Sequence, residues 1–287
     1  MKNKITMIIT FGLLICLLFT LCSCGDSGGS KLTGKIKVVA REEGSGTGQA
    51  FGEVTGVMEN GNSNMLDTAE IAESNDAVIK KVSSETNAIG YVSVGSVDND
   101  MKMLNVDGYE PNIDNINSGS YKLQRNLNFV TSGELSDAAQ DFFDYVLSED
   151  GQKIIESEDY APINEVHNKY KEKKVSGKVV IEGSSSMTPV VEALAENYNK
   201  RNENVSIKIE KSNSSQGVQR VTEGSCDIGM ASRDLGAEEM KAGTSSQVIA
   251  VDGIAVIVNK NNAVKNISLE NLKSIYTGTI KKWSKIK

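Results

Sequence analysis

Arg41-Glu42-Glu43-Gly44-Ser45-Gly46-Thr47-Gly48 lies between two segments of different periodicity. Before it, Lys35 to Ala40 is rich in β-branched residues and predicts a strand. After it, Ala50, Phe51, Val54, Val57 and Met58 recur at helical spacing and predict a helix ending near Asn60-Gly61. The stretch is therefore a tight turn leading into a helix start. Such a start leaves backbone N–H groups unpaired, and with the helix dipole they attract an anion. Arg41 adds a permanent cation whose planar donor fork suits an oxyanion. Glu43 is the candidate to hold that fork, or else a solvated charge. No Lys follows the glycines, so the nucleotide-binding phosphate loop is excluded, and the glycine spacing also misses the dinucleotide fingerprint.

The same arrangement recurs. Val179 to Ile181 predicts a strand, Gly183-Ser184-Ser185-Ser186-Met187-Thr188-Pro189 a turn, and Val190, Val191, Leu194, Ala195 and Tyr198 one face of a helix. Val205, Ile207 and Ile209 alternate as a strand, and Ser212 to Gly217 opens a short helix closed by Gly224. Elsewhere the pattern predicts helices at Asp76–Val82, from Ser136 to Leu147 with the apolar face continuing to Ile155, and at Ser268–Tyr276. Strands are expected at Ile89–Val94, Tyr121–Val130, Asp227–Arg233 and Val248–Val258, and a Pro- and Asn-containing loop near Pro111. Three helix starts that present hydroxyls and N–H groups, one with an arginine, suit the holding of an oxyanion. Hydrolysis by a serine needs a base. His167 is the single histidine, it lies in a charged linker, and no Gly-x-Ser-x-Gly elbow occurs.

With 287 residues and 39% hydrophobic content, the chain can build one large or two small cores. The net charge of −7 and the lack of a basic aromatic patch exclude a nucleic-acid partner. Lys2, Lys4 and the apolar run Ile5–Leu21 form a signal segment. Leu21-Cys22-Ser23-Cys24 is similar to a bacterial lipobox, which implies cleavage before Cys24, a diacylglycerol thioether on its sulfur, and a tether over residues 24–33. Cys226 is then the remaining thiol, so no intramolecular disulfide is expected, and it reads as a small buried hydrophobe.

The motifs Arg41–Thr47, Gly183–Pro189, Ser214-Ser215-Gln216-Gly217-Val218, Asp227–Arg233, Asp252–Val258 and Ile275–Gly278 resemble those of the phosphate-binding lipoproteins of the phosphate-specific ABC transporter. The resemblance spans most of the chain beyond the signal segment. It implies an α/β fold of the periplasmic-binding-protein kind, two lobes joined by a hinge, with inorganic phosphate in the cleft and ABC permease subunits as partners. It implies a monomer held to the membrane outside the cytoplasm by its lipid anchor, without cofactor, metal or catalysis. Carried over position by position, Ser185, Ser186 and Ser214 bind through hydroxyl and N–H, Arg41 pairs with the anion, and Ser45, Gly46 and Thr47 close the other side. Ser232 stands where some members carry an aspartate that accepts the phosphate proton.

The order of motifs departs from the family: Gly183–Pro189 follows Arg41–Thr47 here instead of preceding it. A circular permutation is therefore expected, with residues 164–174 joining the former ends. One lobe then runs over 131–247, and the other is split between 34–130 and 248–287. The rival readings are a rearranged gene fragment, a receptor for another tetrahedral oxyanion such as sulfate, and a surface lipoprotein that binds no anion.

Overall fold

The computed structural model describes residues 34–98, 100–163 and 168–286. The signal segment, Cys24, the tether and His167 lie outside the described residues.

The chain opens with β1 (Lys37–Arg41), whose last four residues are buried, and passes into α1 (Gly46–Thr55). Ser45 caps α1 by accepting from the Gly48 N–H, and Gly56, at φ 71°, ends it in the left-handed conformation. The helix thus stops earlier than the apolar spacing predicts. Met58 and its neighbours form a hairpin, β2 (Met58–Glu59) and β3 (Asn62–Ser63), around Asn60-Gly61, both at positive φ. An Asn-Gly pair with two positive φ values is the preferred two-residue hairpin turn.

Next come β4 (Glu70–Ala72), α2 (Asn75–Ser84), β5 (Ala88–Ser93), a 3-10 turn at Val94–Ser96, β6 (Met101–Val106), α3 (Ile113–Asn117) and β7 (Gln124–Ser132). β6 and α3 occupy the stretch expected to be loop. The apolar face expected to run from Ser136 to Ile155 is two helices, α4 (Asp137–Leu147) and α5 (Glu149–Ser157). Ser148 divides them, because its hydroxyl caps α5 at the Gly151 N–H, 3.2 Å away. β8 (Ala161–Pro162) follows.

The described part of the linker, Asn168–Lys174, has no regular structure. Its Tyr170 hydroxyl donates to Asp141 Oδ2 at 2.6 Å and accepts from Asn202 Nδ2 at 3.0 Å. The second half of the chain contains β9 (Gly177–Ser184), α6 (Thr188–Asn199), β10 (Val205–Ser212), α7 (Ser214–Thr222), β11 (Ile228–Ala231), α8 (Ala237–Lys241), β12 (Thr244–Asn259), β13 (Asn266–Ile267) and α9 (Leu269–Tyr276).

A mixed sheet runs in the order β10-β9-β11-β7-β12-β5-β1-β4. Its two flanks are parallel: β9 pairs with β10 and β11, and β1 with β4 and β5. Between them β7 and β12 run antiparallel and connect the flanks, placing Arg125 opposite Asp252. Each flank has its own core. Phe129, Phe142, Ile181, Leu194 and Met230 belong to one, and Phe51, Ile89, Tyr91, Leu104 and Tyr276 to the other. The two halves expected from the motif order therefore share continuous strands. β7 passes through the 130/131 boundary, and β12 through the 247/248 boundary.

The two ends of the described chain are neighbours. Ile36 N donates to Lys281 O at 2.9 Å, and Trp283 Nε1 donates to Asn87 O at 3.0 Å.

Candidate functional site

Three antiparallel pairings, β5 with β12, β12 with β7 and β7 with β11, lie between β1 and β9, so β1 runs opposite to β9 and β10. The carboxyl ends of the two flanks, the ends at which open α/β sheets bind ligands, meet where Arg41 bonds Ser185, and there the strands feed α1, α6 and α7. α1 is held there by Phe51, which stacks on Tyr91 with ring centroids 3.9 Å apart and 5° between planes. Gly46 opens α1 so close to α7 that a Cβ on it would lie 2.4 Å from Ser214 Oγ and 2.6 Å from Ser232 Oγ. Gly44 O accepts from Ser215 N at 3.2 Å, so the two helix starts also meet through backbone.

The result is a buried cluster of hydroxyls beside one guanidinium. Arg41, its side chain 2% exposed, donates from Nη1 to Thr47 Oγ1 at 3.3 Å and to Asn75 Oδ1 at 2.9 Å. Its Nη2 donates to Ser185 Oγ at 3.2 Å. Thr47 Oγ1 and Ser186 Oγ are 3.2 Å apart. Ser184 Oγ donates to Ser232 Oγ at 2.8 Å and lies 3.0 Å from Ser186 Oγ. Ser214 Oγ accepts from Ser232 N at 3.1 Å.

Most of the predicted residues are thus brought together: Arg41, Gly46, Thr47, Ser185, Ser186, Ser214 and Ser232. Ser45 is adjacent, but its hydroxyl is committed to capping α1. Glu42, and not Glu43, holds the arginine, with Nε to Oε2 at 2.8 Å and Nη2 to Oε1 at 3.0 Å, while Glu43 is exposed. Sequence reasoning missed two residues. Ser184 stood inside a quoted motif and could have been included. Asn75 carries no local signal, because it reaches Arg41 only through the packing of α2 against β1.

The bidentate Arg41–Glu42 pair leaves the site close to electrically neutral, and the remaining groups are hydroxyls and amides. A hydroxyl can donate or accept, so the cluster can surround a tetrahedral anion without a proton-specific partner. Burial pushes the Tyr91 hydroxyl up to about 12, so it stays neutral and accepts from Arg41 N at 3.1 Å. No group of three or more His, Cys, Asp or Glu side chains gathers as a metal site among the described residues.

Residues 29–150 and 168–286 match the profile of the PBP superfamily domain. The chain belongs to that superfamily. Within the superfamily it is 43% identical over 270 residues to the phosphate-binding protein PstS 2 of Streptococcus agalactiae serotype V, and the alignment covers 92% of both chains. It is 39% identical over 276 residues to the phosphate-binding protein PstS 2 of Streptococcus pneumoniae serotype 4, covering 94% of both. The crystal structure of a phosphate ABC transporter phosphate-binding protein from Streptococcus pneumoniae TIGR4 superposes with a TM-score of 0.71 at 38% identity, over 88% of this chain and all of that one. These alignments run nearly end to end, so the relatives share this order of motifs.

Proposed function

We propose that this chain binds inorganic phosphate in the hydroxyl cluster between its two sheet flanks and delivers it to the permease of an ABC importer. The observation that carries the reading is Arg41 buried among Thr47, Ser185, Ser186, Ser214 and Ser232, with helix starts on both sides. A dianion in such a place needs its oxygens hydrogen-bonded, since an unpaired buried charge is very costly. The names of the relatives point to the same ligand. A melting curve with and without phosphate at fixed ionic strength tests this. Phosphate at a hundred times Kd stabilises by about 2.7 kcal/mol, or roughly 5–10 °C for a chain of this size. No shift at millimolar phosphate rejects the reading.

One observation favours a second ligand. Ser232, at the centre of the cluster, can donate as well as accept, so a fully deprotonated oxyanion such as sulfate competes for the same place.

The lipid anchor and the permutation belong to the same proposal. Cys24 would carry the anchor, with two or more acyl chains giving stable attachment. Mass spectrometry of the mature N-terminus checks this, and an unmodified Cys24 rejects it. The bond between Ile36 and Lys281 supports a permuted order with residues 164–174 joining the former ends.

A further inference from the structure

A half-buried turn, Val94–Ser96, lies behind the oxyanion site and touches both of its sides. On one side, Ser96 Oγ accepts from Asn75 Nδ2 at 2.9 Å, and Asn75 Oδ1 in turn accepts from Arg41 Nη1 at 2.9 Å. On the other, the 3-10 turn Val94–Ser96 packs against Tyr160, whose hydroxyl donates to the Ser186 carbonyl at 2.9 Å. Tyr160 belongs to the core of one flank, whereas the turn continues β5 of the other. The contact between them passes through Gly95. A Cβ there would lie 2.4 Å from Tyr160 Cε2, 2.5 Å from Cζ and 2.7 Å from the hydroxyl oxygen. Gly95 has an ordinary φ, so it is close approach of the ring, not backbone conformation, that requires glycine.

The turn is itself fixed from below. Ser93 Oγ donates to Asp252 Oδ1 at 3.0 Å, and Asp252 Oδ2 accepts from Arg125 Nη2 at 2.7 Å. Arg125 and Asp252 face each other on β7 and β12, the strands that connect the flanks. Ser93, Tyr160 and Asp252 are fully buried, so the bonds Ser93–Asp252 and Tyr160–Ser186 are shielded from water.

We propose that the turn Ser93–Ser96, seated on Tyr160 through Gly95, is a positioning element that sets the separation between Arg41 and Ser186 and thereby the grip on the oxyanion. This rests on the phosphate-binding reading. The turn touches no ligand; it acts through Asn75 and Tyr160. A site of hydroxyls and one guanidinium depends on such support, because a shift of a few tenths of an ångström breaks several bonds together.

Two variants of the full chain test the proposal. Gly95→Ala wedges the turn away from the ring without altering a site residue. Tyr160→Phe keeps the ring and removes the bond to Ser186. Phosphate affinity is read by calorimetry, and hydrogen exchange of the Ser185–Met187 amides is read without phosphate. Gly95→Ala is expected to weaken phosphate binding at least tenfold and Tyr160→Phe about fivefold, with faster exchange at Ser185–Met187 in both. A merely structural role would lower the melting temperature and leave affinity and local exchange unchanged, and that result overturns the proposal. If the wild-type chain gives no heat with phosphate, the functional reading fails, and the exchange arm alone decides the role of the turn: unchanged protection in both variants rejects it.

Discussion

Arg41 and Ser185 stand 144 positions apart in the chain and meet in one hydrogen bond, from Nη2 to Oγ at 3.2 Å. The bond joins the end of β1 to the loop after β9, one from each flank of the sheet. The arginine therefore serves both as the single cation of the hydroxyl cluster and as a tie across the two flanks.

Arg41→Ala should nearly abolish phosphate binding. Removing one side of a buried charge interaction costs about 3–5 kcal/mol, which is roughly two to four decades of affinity. Arg41→Lys keeps the charge but not the fork that reaches Thr47, Asn75 and Ser185 together, so most of the loss should remain. Calorimetric titration measures both; a Kd within threefold of wild type in Arg41→Ala would remove the arginine from the site.

Gly46→Ala should fold and fail to bind. The added methyl would press on Ser214 Oγ, Ser232 Oγ and, at 3.0 Å, the Ser232 carbonyl carbon. The hydroxyls can rotate away, but only by leaving the cluster. Circular dichroism should show the native α/β spectrum, and phosphate should cause no thermal stabilisation. Binding at wild-type strength would mean that the two helix starts do not enclose the ligand.

Ser232→Asp should sharpen discrimination between phosphate and sulfate. At neutral pH phosphate retains a proton and sulfate does not, and a carboxylate accepts that proton while repelling an anion without one. The wild type, with a hydroxyl there, should be inhibited by millimolar sulfate. Competition titrations on both proteins decide: a wild type indifferent to sulfate, with no gain in the variant, would show that another residue reads the proton.

Acid should weaken the loop that carries Ser232. Arg233, next in the chain, donates from both Nη atoms to Glu239, at 2.7 and 2.8 Å, and Gly236 N donates to Glu239 Oε2 at 2.7 Å. The hydrogen bonds from Arg233 hold the Glu239 carboxyl below its ordinary value. A carboxylate depressed by folding adds stability that is present above its unfolded value of about 4.3 and is lost as pH falls through the folded one. Wild type should therefore have a higher urea midpoint than Glu239→Gln at pH about 7, with the gap closing below about 4. A gap that is unchanged with pH would refute the assignment.

Joining the two chain ends should be tolerated. Ile36 N bonds Lys281 O, and Lys35 bridges Lys282, so a short peptide from the C-terminus back to Gly34 spans little distance. The chain can then be reopened near Lys171, in a stretch without regular structure. The rewired protein should melt within a few degrees of the parent and bind phosphate alike. Loss of folding would show that the present order of segments is needed for assembly.

The strand–turn–helix units around Ser45, Ser186 and Ser214 were legible in the residues because their causes are local. β-branched runs make strands, capping hydroxyls start helices, and apolar spacing shows which face is buried. The cationic fork of Arg41 and the hydroxyls at the three helix starts were legible for the same reason, whereas Ser232 was singled out only through the resemblance of its motif. The hairpin at Asn60-Gly61 was misread because Val57 and Met58 continue the helical spacing past Gly56, whose left-handed conformation had already ended the helix. Between Glu42 and Glu43 local pattern offers no choice, since both lie within two positions of Arg41; the fold leaves one in contact and the other in solvent. Asn75 meets Arg41 across 34 positions, and Thr47 meets Ser186 across 139. Such meetings depend on how the two flanks pack around β7 and β12, and a packing between distant segments leaves no period or spacing in the chain from which it could be read.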